Sequence, residues 1–281
     1  MSKNTKQQIA FAILTLAALI VVIPTILIIG FIFVKGSSAV TWEFLTSMPR
    51  QGMRAGGIYP AIVGTLYLVT GTIIFALPLG IGSAIYLTEY AKKGRLNRII
   101  RLAIVNLAGV PSVVYGLFGL GLFVLFLGFG SSILAGALTL ACLILPTVIT
   151  ASEEALKSVP KSYREASLAL GATKWQTIRH VVLPHAMPGI LTGAILGIGR
   201  AAGETAPILL TVAAFFLPRL PRTVFDQAMA LPYHLYIIST QVPNMPDDIK
   251  YATALVLLGI VGIFFTIATS IRIKFKMSNK A

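Results

Sequence analysis

Residues 159–207 read VPKSYREASLALGATKWQTIRHVVLPHAMPGILTGAILGIGRAAGETAP. The first half is polar and basic, with an apolar run on either side. The second half is an apolar helix pattern with an arginine and a glutamate inside it. The first half has the form of a surface that takes up work from another protein. The second has the form of a place that meets an anion.

Composition sets the medium. Of 281 residues, 56% are hydrophobic and 11% charged, against about 25% charged in a water-soluble domain. With a mean hydropathy of +0.87, the chain reads as dissolved in lipid. Six apolar runs reach the roughly 20 residues that a helix needs to cross a bilayer. They cover about residues 9–34, 61–86, 99–127, 133–150, 187–216 and 251–271. The first is too long for the core of a cleavable signal. The expectation is an all-α, multi-pass membrane protein of six transmembrane helices.

The net charge of +14 raises the question of nucleic acid. Placement answers it. With the N-terminus inside, sixteen of the 23 lysines and arginines fall on inner segments. Six fall outside, and Arg200 lies within a span. That is the positive-inside pattern with both termini cytoplasmic in a cell membrane, so a nucleic-acid partner is not expected. Cys142 is the single cysteine, so no internal disulfide can form. His180, His185 and His234 are scattered without metal-ligand spacing, so no metal is expected.

Two apolar stretches carry breakers. In LAGVPSVVYGLFGLG, residues 107–121, Pro111 should kink the third span, and Gly116, Gly119 and Gly121 allow close helix approach. No strand precedes this glycine run, so it is not a nucleotide-binding turn. Residues 218–250 hold five prolines around a moderately apolar piece. This piece reads as a helix at the membrane interface or a protein-docking surface, not a seventh span.

The connection at about residues 151–185 is the longest on the inner side. Tyr163, Ala166 and Leu170 recur at helical spacing, Pro160 suits a helix start, and Gly171 suits a left-handed stop. Thr173 can cap a second helix, which Pro184 should end. Two short amphipathic helices with a glycine elbow follow. They form either a lever across the bundle or a helix pair lying on lipid headgroups.

Here a resemblance becomes specific. EASLALG at residues 165–171, nine further residues, then Val181-Val182-Leu183-Pro184 resembles the EAA loop of ABC importer permeases. Ser167 and Val181 depart from the family pattern by small changes. The resemblance implies a type I ABC importer permease fold and a loop that docks into an ATPase subunit. Glu165 would be the docking carboxylate and Gly171 the elbow, with Ala166, Leu183 and Pro184 completing the coupling element. The chain has no G-x-x-x-x-G-K-[ST] sequence. ATP and its Mg would therefore sit on a separate chain, with no cofactor in this one and no covalent chemistry of its own.

In the fifth span, Arg200 and Glu204 each cost about 2.5–3.5 kcal/mol at a helix centre on insertion scales. They are four apart, hence on one face. At about 100° per residue, Gly189, Gly193, Gly197, Arg200 and Glu204 share an arc of about 80°. The charges should face protein or a cavity, and Pro207 should loosen the helix just beyond them. They serve either as an ion pair that locks two helices or as a site for a charged substrate. The planar arginine fork favours an oxyanion. A carboxylate beside it suits an anion that can carry a proton, such as phosphate, better than sulfate.

GRAAGETAPILLT (199–211), GGIYPAIVGTL (56–66) and VPSVVYGLFG (110–119) resemble phosphate ABC importer permeases, and PYHLYIISTQVP (232–243) their A-type subunit. The resemblance implies a second permease subunit, a homodimeric ATPase subunit and an extracytoplasmic phosphate-binding protein. Arg200 and Glu204 would then belong to the substrate pathway. The division expected is 1–60 for the first helix and outer loop, 61–271 for the permease domain and 272–281 for a cytoplasmic tail. Other readings are a permease for another oxyanion, an ion-coupled secondary transporter with Glu204 as proton carrier, and an assembly protein without transport.

Overall fold

The computed structural model describes residues 3–92 and 94–278, with side chains from 7 to 275. Lys93 and Lys280, two of the inner cations counted above, lie outside the described residues, as do the side chains of Lys3, Lys6 and Lys276.

Long apolar runs become long helices because a helix satisfies its own backbone in lipid. They are α1 (Lys3–Gly36), α3 (Tyr59–Ile85), α6 (Ile133–Ser158), α9 (Leu183–Gly203) and α12 (Asp247–Ser278). Between α1 and α3 lie the short α2 (Trp42–Thr46) and a two-residue hairpin, β1 (Pro49–Arg50) with β2 (Ala55–Gly56). The packing order is α3, α6, α9, α12, α1, each against the next. α6 is the axis, and two-thirds of its most apolar window is buried.

Small residues make this packing possible. A Cβ built on Gly189 would lie 2.6 Å from the Ala155 Cβ, and one on Gly193 would strike the Ala151 side chain. The glycine stripe of α9 therefore faces α6, and the two backbones approach more closely than any side chain would allow.

The third apolar run is not one straight span. It forms α4 (Arg95–Ala108) and α5 (Ser112–Gly119), the latter continued by a π turn at Leu120–Phe126, with a bend of 105° between them. Pro111 caps α5 in an extended conformation (φ −58°, ψ 140°). It supplies no amide to the preceding turn, and it disfavours helix at Val110. The kink expected at Pro111 is a corner. Among the described residues five helices are long and apolar enough to cross, or six if the bent pair is one span.

The fifth span also differs from the expected 187–216. Its helix begins earlier, as α8 (Lys174–Thr177), passes through a π turn at Ile178–Val182 and continues as α9. Pro184 does not end the helix, because the π turn places it in the first turn of a new α segment, where its missing amide costs nothing. The helix then stops at Gly203, and Glu204 is extended (ψ 133°). After Thr205 only a short α10 (Ala206–Thr211) forms. Gly203 and Pro207 together interrupt the run: one is permissive, and the other denies the ladder a donor.

α6 likewise runs past the expected end at 150 to Ser158, so the 151–185 connection holds only one free-standing helix, α7 (Lys161–Ala169).

The piece expected at the interface or on a docking surface is α11 (Leu231–Thr240), which is too short to cross. Leu231, Tyr233, Ile237 and Ile238 are buried, and the Leu231 amide donates to Thr65 Oγ1 of α3 at 2.8 Å. His234 is buried among them, its Nδ1 has no hydrogen-bond partner among the described residues, and burial pushes its pKa down to about 4.

Candidate functional site

Two groups of charged residues stand out, one at each end of α9. At the first, α7 begins after Pro160 and ends where Gly171 takes φ +83°. Only glycine takes that angle without strain. Thr173 then opens α8 with a full capping box: its hydroxyl accepts from the Gln176 amide, and the Gln176 side chain accepts from the Thr173 amide at 2.8 Å. Ser167, a departure from the EAA pattern, is explained by its hydroxyl, which lies 2.9 Å from Thr177 Oγ1 and joins α7 to α8.

α7 buries none of its nine residues. Glu165 and Ala166 are exposed, and so are Leu168 and, at 89%, Leu170. An exposed carboxylate and two exposed leucines on a short polar helix make a surface suited to another protein. Leu183 and Pro184 lie elsewhere, partly buried at the start of α9, where Leu183 packs with Ala155 and Val159. The structure thus places Glu165, Ala166 and Gly171 on the outward element and Leu183 and Pro184 at its root.

Reading the sequence missed what lies beneath. Arg164, beside Glu165, turns inward. Its Nε and Nη2 donate to Glu89 Oε1 at 3.2 and 2.8 Å. Its Nη1 and Nη2 donate to the carbonyls of Val159 and Leu156, each at 2.8 Å. Glu89 lies in the π turn Tyr86–Tyr90 that ends α3, and Leu156 lies in the last turn of α6. A second cluster lies nearby. Arg101 of α4 pairs with Glu153 of α6 and donates to the Leu87 carbonyl at 2.7 Å, and Lys157 also reaches Glu153. The available signal was that Glu89 is the only acid between residues 44 and 152.

At the other end, Arg200 occupies the last turn of α9, where the helix dipole favours a cation. Its Nε donates to Glu204 Oε1 at 3.2 Å. The pair joins the last turn of α9 to its own C-cap and, among the described residues, bridges no two helices. Arg200 keeps 37% of its side chain exposed and Glu204 16%, so they are not sealed in a helix contact. Because Gly193 faces Ala151 and Gly197 faces Ile144, α9 runs antiparallel to α6. At 1.5 Å per residue, Arg200 lies about 15 Å below the N-terminal end of α6.

Two broken helices meet there. A Cβ on Gly116 of α5 would lie 3.0 Å from the Pro207 Cα, so α10 packs on α5 just past the break at Glu204. Tyr115, also unforeseen, closes the α4–α5 corner by donating to the Leu107 carbonyl at 2.9 Å, and its phenol lies within electrostatic reach of Arg200.

Comparisons with known proteins agree with this architecture. The family described as "Binding-protein-dependent transport system inner membrane component" matches residues 76–274. The chain is 37% identical to the "Phosphate transport system permease protein PstA 1" of Mycobacterium tuberculosis (strain CDC 1551 / Oshkosh), covering 96% of this chain and 90% of that one. It is 34% identical to the "Probable ABC transporter permease protein YqgI" of Bacillus subtilis (strain 168), covering 86% of each. Among solved structures, a bacterial ABC transporter importing the acidic polysaccharide alginate superposes with a TM-score of 0.68 at 16% identity, over 96% of both chains. The MetNI methionine ABC transporter in an inward-facing conformation gives 0.58 at 18% identity, over 78% of this chain and 94% of that one. These likenesses establish the fold.

Proposed function

Because the chain belongs to the family of binding-protein-dependent transport system inner membrane components, we propose that it is the PstA-type permease subunit of an ATP-driven phosphate importer. The observation that carries this reading is the Arg200–Glu204 pair, half open at the break between α9 and α10. The phosphate named for its 37%-identical relative supports the choice of anion.

In this reading Arg200 offers two parallel donors to the oxygens of a phosphate. Glu204 holds the guanidinium while the path is empty. It then accepts a hydrogen bond from a protonated phosphate oxygen, which sulfate lacks at neutral pH. The end bearing Arg101, Lys157 and Arg164 faces the cytoplasm of the inner membrane, with both termini on that side. The exposed face of α7, with Glu165 at its centre and Gly171 as its elbow, receives a homodimeric, PstB-like ATPase, which holds ATP and Mg. A PstC-like second permease completes the path, and a PstS-like extracytoplasmic protein delivers phosphate. This chain binds, orients and moves.

The test is uptake into vesicles that hold this chain with its three partner proteins and no ion gradient. Phosphate entry should require internal ATP, and sulfate should not compete. Uptake indifferent to ATP would reject the pump, and uptake that then rises with an imposed proton gradient would favour ion coupling through Glu204. Equal uptake of sulfate would reject the choice of anion.

A further inference from the structure

Glu165 and Arg164 are adjacent and do opposite things. Glu165 is exposed on the outward face of α7, while the Arg164 side chain is only 19% exposed and its partner Glu89 10%. We propose that Arg164, paired with Glu89, is the joint that transmits movement of α7 to the ends of α3 and α6, a positioning role distinct from docking. The proposal rests on the reading that α7 receives the ATPase, and it is independent of which anion is carried.

The load path follows from what holds α7. The helix buries no residue fully, so its apolar grip on the bundle is slight. The Ser167–Thr177 contact and the edge-on packing of Tyr163 against His185 attach it to α8 and α9. Towards α3 and α6, Arg164 supplies the grip: four charge-assisted hydrogen bonds to three acceptors at the ends of two helices. Lys174, at the start of α8, adds a contact over the Tyr90 ring at 4.7 Å.

The chemistry suits a stiff joint. The guanidinium is planar and permanently charged, and its fork fixes direction as well as distance. It lies where the last carbonyls of α6 lack helical partners and where the dipole favours a cation. A carboxylate as buried as Glu89 strongly opposes loss of its counter-charge. Pushing α7 therefore carries both helix ends with it.

The experiment uses the complete complex in vesicles with Arg164→Ala, Arg164→Lys, Glu89→Ala and the Arg164→Ala/Glu89→Ala double variant. ATP hydrolysed per phosphate imported should rise about tenfold in Arg164→Ala, the scale of one lost charge-assisted bond. Arg164→Lys should fall between, because an ammonium reaches Glu89 without spanning the two carbonyls. The double variant should be no worse than the worse single, because the pair acts as a unit.

A second readout needs no substrate. Spin labels at Ser162→Cys and Tyr86→Cys, in a Cys142→Ala background, should give one narrow distance with and without ATP. That distance should broaden in Arg164→Ala. An unchanged ratio, additive effects, or uptake and hydrolysis falling together with the amount of complex would overturn the joint. So would a label distance that already changes with ATP in the unaltered pair. Failure of the unaltered complex to import phosphate, with the distance still locked, would fault the choice of anion and leave the joint supported.

Discussion

The two ends of α9 use the same kinds of residue under opposite constraints. At the α7 end each paired arginine is held several times over: Arg164 by α3 and α6, and Arg101 by Glu153 and the Leu87 carbonyl. At the other end, among the described residues, the side chains of Arg200 and Glu204 hydrogen-bond only to each other, across the last turn of α9 and its extended C-cap. A charge with many fixed partners is a strut. A charge with one partner from its own helix can change partner when an anion arrives, at little structural cost. The difference separates transmission from recognition within one chain.

Substitutions test that division from either side. The largest expected effect is at the elbow. Gly171→Pro cannot adopt φ +83° and removes the amide that donates to the Leu168 carbonyl at 3.0 Å. ATP hydrolysis should continue while uptake falls at least about tenfold, consistent with a penalty of about 3 kcal/mol for a misplaced proline. Parallel loss of both would place Gly171 in folding alone.

Next comes pH at α11. The folded His234 titrates at about 4 and the unfolded at 6.5. Neutral His234 therefore contributes stability that is complete above 6.5 and is lost as the pH falls from 6.5 towards 4. Over that window the loss approaches about 3 kcal/mol, at 1.36 kcal/mol per unit. Thermal unfolding in detergent from pH 7 to pH 4.5 should show it, and His234→Phe should flatten the slope. An equal slope in the variant would assign the acid sensitivity elsewhere.

Between the two ends, Gly193→Val forces a side chain against Ala151. It should destabilise the α6–α9 contact by about 1–3 kcal/mol, the usual cost of overpacking. Unfolding of the complex in denaturant measures it. The smallest effect belongs to the cap of α8: Thr173→Ala should cost about 1 kcal/mol, visible as faster amide exchange over residues 174–177, with uptake nearly unchanged.

Much of this was legible in the chain. Pro160, Gly171 and Thr173 act as their chemistry dictates, and the glycine stripe of α9 meets α6 as its spacing requires. What the sequence concealed was direction. Hydropathy records that residues 99–127 and 187–216 are apolar but not that one turns through 105° and the other breaks at Glu204. The π turn at Ile178–Val182, which lets a helix run through Pro184, has no residue signature. Arg164 and Glu89 are 75 residues apart, and no local pattern predicts a pair that only the packing of three helices creates.

The central claim is that the half-open guanidinium at the end of α9 serves the anion rather than the fold. ATP-driven phosphate uptake by complexes carrying Arg200→Ala, normalised to assembled complex, tests it most directly. The account predicts a normally assembled complex whose uptake is abolished. Near-normal uptake in that variant would contradict it.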